Sequence, residues 1–189
     1  MNPAIDVSKF PNIRWPNYTY WTSTVSSNWA TYAWSVQFQY GEIAPAHQVV
    51  QNFWALCVRN NQKTISFLDN GDNTITDQKT RLIWQKQDDG SQRLRENALN
   101  YCENLTLGGS SSWRLPNIKE LESIVDDNNV SPSINTSYFP NTKSSSTSKY
   151  MSSSVALYNI NYSWTVTFNT GEASSTASSS YVRCVRGGQ

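Results

Sequence analysis

Four groups of residues in this 189-residue chain have types and spacing suited to chemistry. Asp69, Asp72, Asn73 and Asp77 place oxygen ligands close together, the donor set that calcium takes. The bidentate Glu of a calcium loop is missing at the required distance, and Asp-Asn-Gly-Asp-Asn at 69–73 is equally turn chemistry. Asp126 and Asp127 form a lesser acidic pair. The expectation is therefore no resident cofactor, with calcium at Asp69, Asp72 and Asp77 as the one candidate. Cys57, Cys102 and Cys184 can make one disulfide with a thiol to spare, or remain three buried thiols. Arg114 and Arg186 stand near aromatics. They serve either as anion receptors or as arginines stacked on Trp113 or paired with an acid. The last group is aromatic and amide-rich: Trp29 and Tyr32 in one loop, Tyr158, Asn159, Asn161 and Tyr162 in another. Such residues build adaptable binding surfaces, so these six are the expected ligand contacts. Their other reading is packing between modules. His47 is the single histidine, which excludes a His-rich metal site and leaves a Ser-His-Asp triad without support. No enzyme is expected.

The elements that hold these residues occur twice. Trp164-Thr-Val-Thr-Phe168-Asn-Thr-Gly171-Glu172 matches Trp34-Ser-Val-Gln-Phe38-Gln-Tyr-Gly41-Glu42. Tyr181-Val-Arg-Cys184-Val-Arg186 matches Trp54-Ala-Leu-Cys57-Val-Arg59. Upstream, Phe139-Pro-Asn141 matches Phe10-Pro-Asn12, and Tyr150-Met-Ser-Ser153 matches Tyr20-Trp-Thr-Ser23. The unit is too long for a solenoid repeat. Residues 63–129 have no second copy. The expected organisation is a partial module, its back half, at 1–62, and a complete module at 63–189. Cys57 and Cys184 hold the same place in the two copies, while Cys102 lies in the single-copy stretch. A full module would hold one of each, as a disulfide pair would. Cys102 with Cys184 would close a loop of about 80 residues, worth about 4.5 kcal/mol in the chain-entropy model. Cys57 is the alternative partner of Cys102.

Composition narrows the class. Charged residues are only 15% and aromatics 13%, with 8 Trp and 10 Tyr. That is too aromatic for a disordered chain. Net charge is +1 without a basic run, so the electrostatic footprint for nucleic acid is missing. No apolar run approaches the length of a membrane span.

Periodicity gives the elements. Trp34, Val36, Phe38 and Tyr40 alternate with polar residues, predicting a half-buried strand that ends at a Gly41-Glu42 turn. Tyr20–Val25 reads as a short strand and Gln51–Val58 as a central one. Thr74–Asp77 and Arg81–Lys86 read as a hairpin. Leu94, Ala98, Tyr101, Cys102 and Leu105 share one helical face, stopped by Gly108-Gly109. Asn117 and Glu120 form a capping box for a second helix with Ile118, Leu121, Ile124 and Val125 inward. The serine-rich tracts 144–154 and 174–180 read as loops, and Tyr181–Val185 as the closing strand.

Four ordered blocks then resemble the DUF1566 family, the domain at the end of Legionella collagen-like adhesin. They are Thr74-Ile-Thr-Asp77 with Leu82-Ile-Trp84, Ala98-Leu-Asn-Tyr-Cys102, Trp113-Arg-Leu-Pro116 with Glu120-Leu121, and Tyr181-Val-Arg-Cys-Val-Arg-Gly187. The resemblance implies an α+β, C-type-lectin-like fold: two helices against twisted antiparallel strands. Here a duplicated back half precedes it at the N-terminus. It implies a bond from a helix cysteine to the last strand, the place of Cys102 and Cys184. It implies an extracellular or bacterial cell-surface protein that binds a glycan or a host or cell-surface protein. The Glu-Pro-Asn signature of calcium-dependent sugar binding is absent. A structural subunit of an extracellular fibre, self-associating through the incomplete half-module, is the second expectation. An oxidase of the formylglycine-generating type lacks the close cysteine pair it needs.

Overall fold

The computed structural model describes residues 4–14, 16–25, 31–47, 51–58 and 66–187. The first four strands are β1 (Thr19–Val25), β2 (Tyr32–Gln37), β3 (Glu42–His47) and β4 (Trp54–Ala55). They form a sheet in the order β3-β2-β1-β4, with β4 parallel to β1 and the rest antiparallel. Next come β5 (Phe67–Asp69), β6 (Thr74–Asp77), β7 (Leu82–Gln85), α1 (Arg95–Glu103) and α2 (Ile118–Ser123). The chain closes with β8 (Tyr150–Ala156), β9 (Asn159–Thr167), β10 (Glu172–Thr176) and β11 (Val185–Gly187). These make two antiparallel sheets, β11-β7-β6-β5 and β10-β9-β8. Among the described residues the protein is mostly β with two short helices, a coarse α+β class.

Burial follows the alternation. Ile75, Trp84, Phe139, Tyr150, Phe168 and Val185 are fully buried and form one core with Leu121 and Ile124 of the α2 region. A second core lies under α1: Ala98, Cys102, Trp113, Leu115, Met151, Val182 and Cys184. The Cys102–Cys184 disulfide runs through it. Cys57 is free and exposed. The capping box forms as read: Asn117 accepts from the Glu120 N–H at 2.9 Å, and Glu120 accepts from the Asn117 N–H at 2.8 Å.

The β1-β2-β3 and β8-β9-β10 sheets share one register. Tyr20 faces Val36 as Tyr150 faces Val166, and Trp21 faces Ser35 as Met151 faces Thr165. Both pairings are interrupted before Val25 and Val155. The side-chain bonds also correspond. Thr22 Oγ1 donates to the Trp34 carbonyl at 2.9 Å, and Ser152 Oγ to that of Trp164 at 2.8 Å. Tyr20 Oη accepts from the Arg14 N–H at 2.8 Å, and Tyr150 Oη from the Lys143 N–H at 2.9 Å. Gly41 and Gly171 close the matching turns at φ 76° and 79°, a region where a side chain is strained.

Several boundaries differ from the sequence reading. The strand starting before Trp34 ends at Gln37, because the turn set by Gly41 begins at Phe38. Gln51–Val58 is not a central strand. Only Trp54–Ala55 pairs, at the sheet edge, because the one neighbour available is β1. The closing strand is Val185–Gly187 rather than Tyr181–Val185, since pairing with β7 begins at Val185. The first helix ends at Glu103 with Asn104 as its C-cap, whose N–H bonds the Asn100 carbonyl, ahead of Gly108-Gly109. Leu94 is its exposed N-cap, not part of the buried face. The serine tracts are partly strand. Ser152 to Ser154 belong to β8, and Ser174 and Ser175 to β10, because their small polar side chains fit a pleated face. The expected boundary between 62 and 63 lies outside the described residues.

Candidate functional site

The Tyr158, Asn159, Asn161 and Tyr162 group gathers at the tip of the β8–β9 hairpin. Tyr158 lies in the two-residue connection, Asn159 opens β9, and Asn161 N–H bonds Asn159 Oδ1 at 3.0 Å. The Tyr158 ring stands 6.1 Å from that of Tyr162. Its hydroxyl bonds Ser175 Oγ on β10. Leu157 and Ile160 flank it, 69% and 78% exposed, and Tyr158 itself is half exposed. The apolar, aromatic tip is thus left largely in solvent.

A third ring joins from the other sheet. Tyr40 meets Tyr158 edge-on at 5.9 Å, and its hydroxyl accepts from Gln39 Nε2 at 2.9 Å. Sequence reasoning missed Tyr40 by assigning it to a strand. Its place in a Gly-closed turn was the available signal. Tyr32 opens β2, opposite His47 in the β2–β3 register. Trp29 lies outside the described residues. Beside this patch β3 lies along β10, and a cleft of about 190 Å³ opens between Trp34, Ile43, Val125, Gly171 and Ala173.

The other candidates are engaged elsewhere. Asp69 caps the Gly71 N–H and pairs with Lys86 at 2.6 Å. The Lys86 hydrogen bond holds the Asp69 carboxyl below its ordinary range. Asp72 accepts from the N–H and hydroxyl of Thr74, and Asp77 from Lys79 and Thr80. Each carboxylate serves its own turn. Among the described residues no three His, Cys, Asp or Glu gather as a metal site. Arg114 forms a two-pronged pair with Glu120, both bonds 2.7 Å. Burial raises the Glu120 carboxyl, but bonds from Arg114 and the Asn117 N–H outweigh it and leave the group lowered. Arg186 lies over the Trp113 ring at 5.3 Å. Both arginines thus take the structural roles.

One buried polar cluster was not legible. Arg183 and the Asp88 carboxylate are fully buried and 3.1 Å apart. Arg183 also donates to the carbonyls of Gln85 and Lys86 and to Thr142 Oγ1. Tyr150 donates its hydroxyl to Asp88 Oδ2 at 2.6 Å, and burial drives its phenol far above the usual range. The cluster ties the 85–88 segment to β8 and to the strand end. The signal that was available is the exchange of Arg183 for Leu56 between the copies.

These features define a small disulfide-linked α+β domain with a side-chain-rich hairpin tip and, among the described residues, no gathered metal-ligand set. Residues 73–186 match the Lcl C-terminal domain, and the chain belongs to that family. A search of curated proteins finds no match. Among the described residues no helix is long and apolar enough to cross a membrane.

Proposed function

We propose that this chain is a non-enzymatic, extracellular or cell-surface binding module of adhesin type. Its contact surface is the hairpin tip: Tyr158, Tyr162, Asn159 and Asn161, with Tyr40. The observation that carries the reading is the three-tyrosine patch, Tyr158 exposed with Tyr40 and Tyr162 half-buried beside it, on a two-sheet scaffold in a chain of the Lcl C-terminal domain family. Ring faces suit the C–H faces of sugars, and the amides supply hydrogen bonds, so a glycan is the favoured ligand. A host or cell-surface protein is the other class. The disulfide fits an oxidising compartment. The C-type-lectin-like fold belongs to this proposal. Two helices flank antiparallel strands, and the first and last strands of the 63–189 module share one sheet. The test is a glycan array with immobilised matrix proteins alongside, using wild type and Tyr158→Ala. Saturable glycan binding weakened about tenfold by the substitution supports the reading. Binding indifferent to Tyr158, or confined to the protein spots, contradicts the glycan assignment.

We also propose that residues 1–62 are the back half of a second module and an assembly element. The shared registers and side-chain bonds support the duplication. Exposure of Phe10, Trp54, Leu56 and Val58 supports the assembly role. Light scattering and electron micrographs of the unreduced chain test it: extended polymers support a fibre subunit, and a monomer at all concentrations opposes it.

A further inference from the structure

Tyr40, Tyr158 and Tyr162 meet at the hairpin tip, and the hydroxyls of the first two are committed inside the protein. The Tyr158 hydroxyl bonds Ser175 Oγ on β10, and the Tyr40 hydroxyl accepts from Gln39 Nε2 at 2.9 Å. These bonds hold the polar ends of the rings and leave their carbon surfaces for a ligand. The rings are not coplanar: Tyr40 stands at 76° to Tyr158, and Tyr162 at 51° to it. They line a corner rather than a flat platform. The amides set among them are neutral, Asn159 half-buried and Asn161 exposed. The Asn161 N–H bonds Asn159 Oδ1 at 3.0 Å and keeps the two together. The segments that build the patch are 37–42, 154–163 and 172–176. Their sequence contains no Lys, Arg or His, and it contains the carboxylates of Glu42 and Glu172. Glu42 is exposed and follows the Tyr40-Gly41 turn directly.

We propose that this patch binds an uncharged sugar by ring stacking, with Ser175 and Gln39 as positioning residues that hold the Tyr158 and Tyr40 rings for it. The inference rests on the hairpin-tip reading and narrows its ligand class. A sugar ring offers an apolar C–H face, which packs on an aromatic ring. It also offers a rim of hydroxyls, and a neutral amide meets these with both donors and an acceptor. A sulfated or carboxylated sugar instead needs cationic partners, arginine above all, once its anion leaves bulk water. The patch segments supply carboxylates, which repel an anion. Tethering the hydroxyls matters because a ring that is already fixed has less freedom to lose on binding.

The test is titration calorimetry on the unreduced full chain. The uncharged probes are lactose, cellotetraose and N-acetylchitotetraose, and the anionic ones are heparin and polygalacturonate. Saturable binding of an uncharged probe is expected, and added salt should leave it unchanged. Tyr158→Phe and Ser175→Ala should each weaken it about two- to tenfold, and the double variant no further than either alone. Ser175→Thr keeps the hydroxyl and should restore binding. Binding of the anionic probes alone, lost in salt and weakened by Tyr158→Ala, overturns the uncharged class and leaves the hairpin-tip reading standing. Losses that add in the double variant, or no loss with Ser175→Ala, overturn the positioning role and leave the same reading standing. Binding of no probe, or binding that ignores Tyr158→Ala, overturns the inference and the glycan reading together.

Discussion

The β1–β3 sheet and the β8–β10 sheet have the same strands, register and side-chain caps, yet one is sealed and the other is open. Tyr20 and Tyr150 each stack on a phenylalanine, Phe38 at 5.3 Å and Phe168 at 5.1 Å. The pairs diverge only where the front segment 66–129 arrives. Local sequence suffices for the sheet: alternation, a left-handed Gly at the turn, and hydroxyls bonding neighbouring carbonyls. It does not suffice for burial, which comes from residues far away in the chain. The difference teaches that local pattern sets the geometry of each sheet, while a distant segment sets how far it is buried.

The sharpest way to break the comparison is to exchange Arg183 and Leu56. Arg183→Leu strands Asp88 without its charge partner and should cost about 3–5 kcal/mol in denaturant unfolding. Leu56→Arg, at an exposed site, should change stability by less than about 0.5 kcal/mol. The phenylalanines give a second contrast. Phe139→Ala should cost about 3–5 kcal/mol from the core, and Phe10→Ala far less, because Phe10 is already in water. The cysteines give a third. Cys102→Ala with Cys184→Ala should cost about 2–5 kcal/mol, and Cys57→Ala should leave the melting curve unchanged.

Smaller effects sharpen the picture of the front segment. Asn117→Ala removes the capping box and should cost about 1 kcal/mol. Acid titration adds a modest term. The Glu120 and Asp89 carboxyls are lowered in the folded state, Asp89 chiefly by its Arg93 hydrogen bond. Their stabilisation is therefore present above the ordinary values of 4.5 and 3.8 and fades as pH falls through the lower folded values. Glu120→Gln should flatten part of that acid loss in a pH series of melting temperatures.

Much of the fold was legible where pattern and chemistry agreed. The hairpin at 74–85, the Asn117 cap, the inward Leu121 and Ile124, and the repeated alternation at Trp34 and Trp164 all follow from short spacings. The rest depended on distant partners. Serines read as loop residues sit in β8 and β10, tied across the strands by bonds from Ser152 Oγ to the Trp164 carbonyl and from Thr165 Oγ1 to the Ser174 carbonyl. Arg183 and Asp88 are 95 residues apart, and neither carries a local sign of the other. At the candidate site, the Tyr158–Tyr162 cluster was visible as a loop that changes between copies. Tyr40 was hidden because its alternation continued past the end of the strand.

The central claim is that the β1–β3 and β8–β10 strands fold alike and only the second set is covered. Residue-resolved hydrogen exchange of the isolated chain tests it directly. The account predicts protected amides in both β2 and β9, slow exchange at Val182–Val185, and fast exchange at Leu56–Val58. Equal protection at Leu56–Val58 and Val182–Val185, or an unprotected β2, would contradict it.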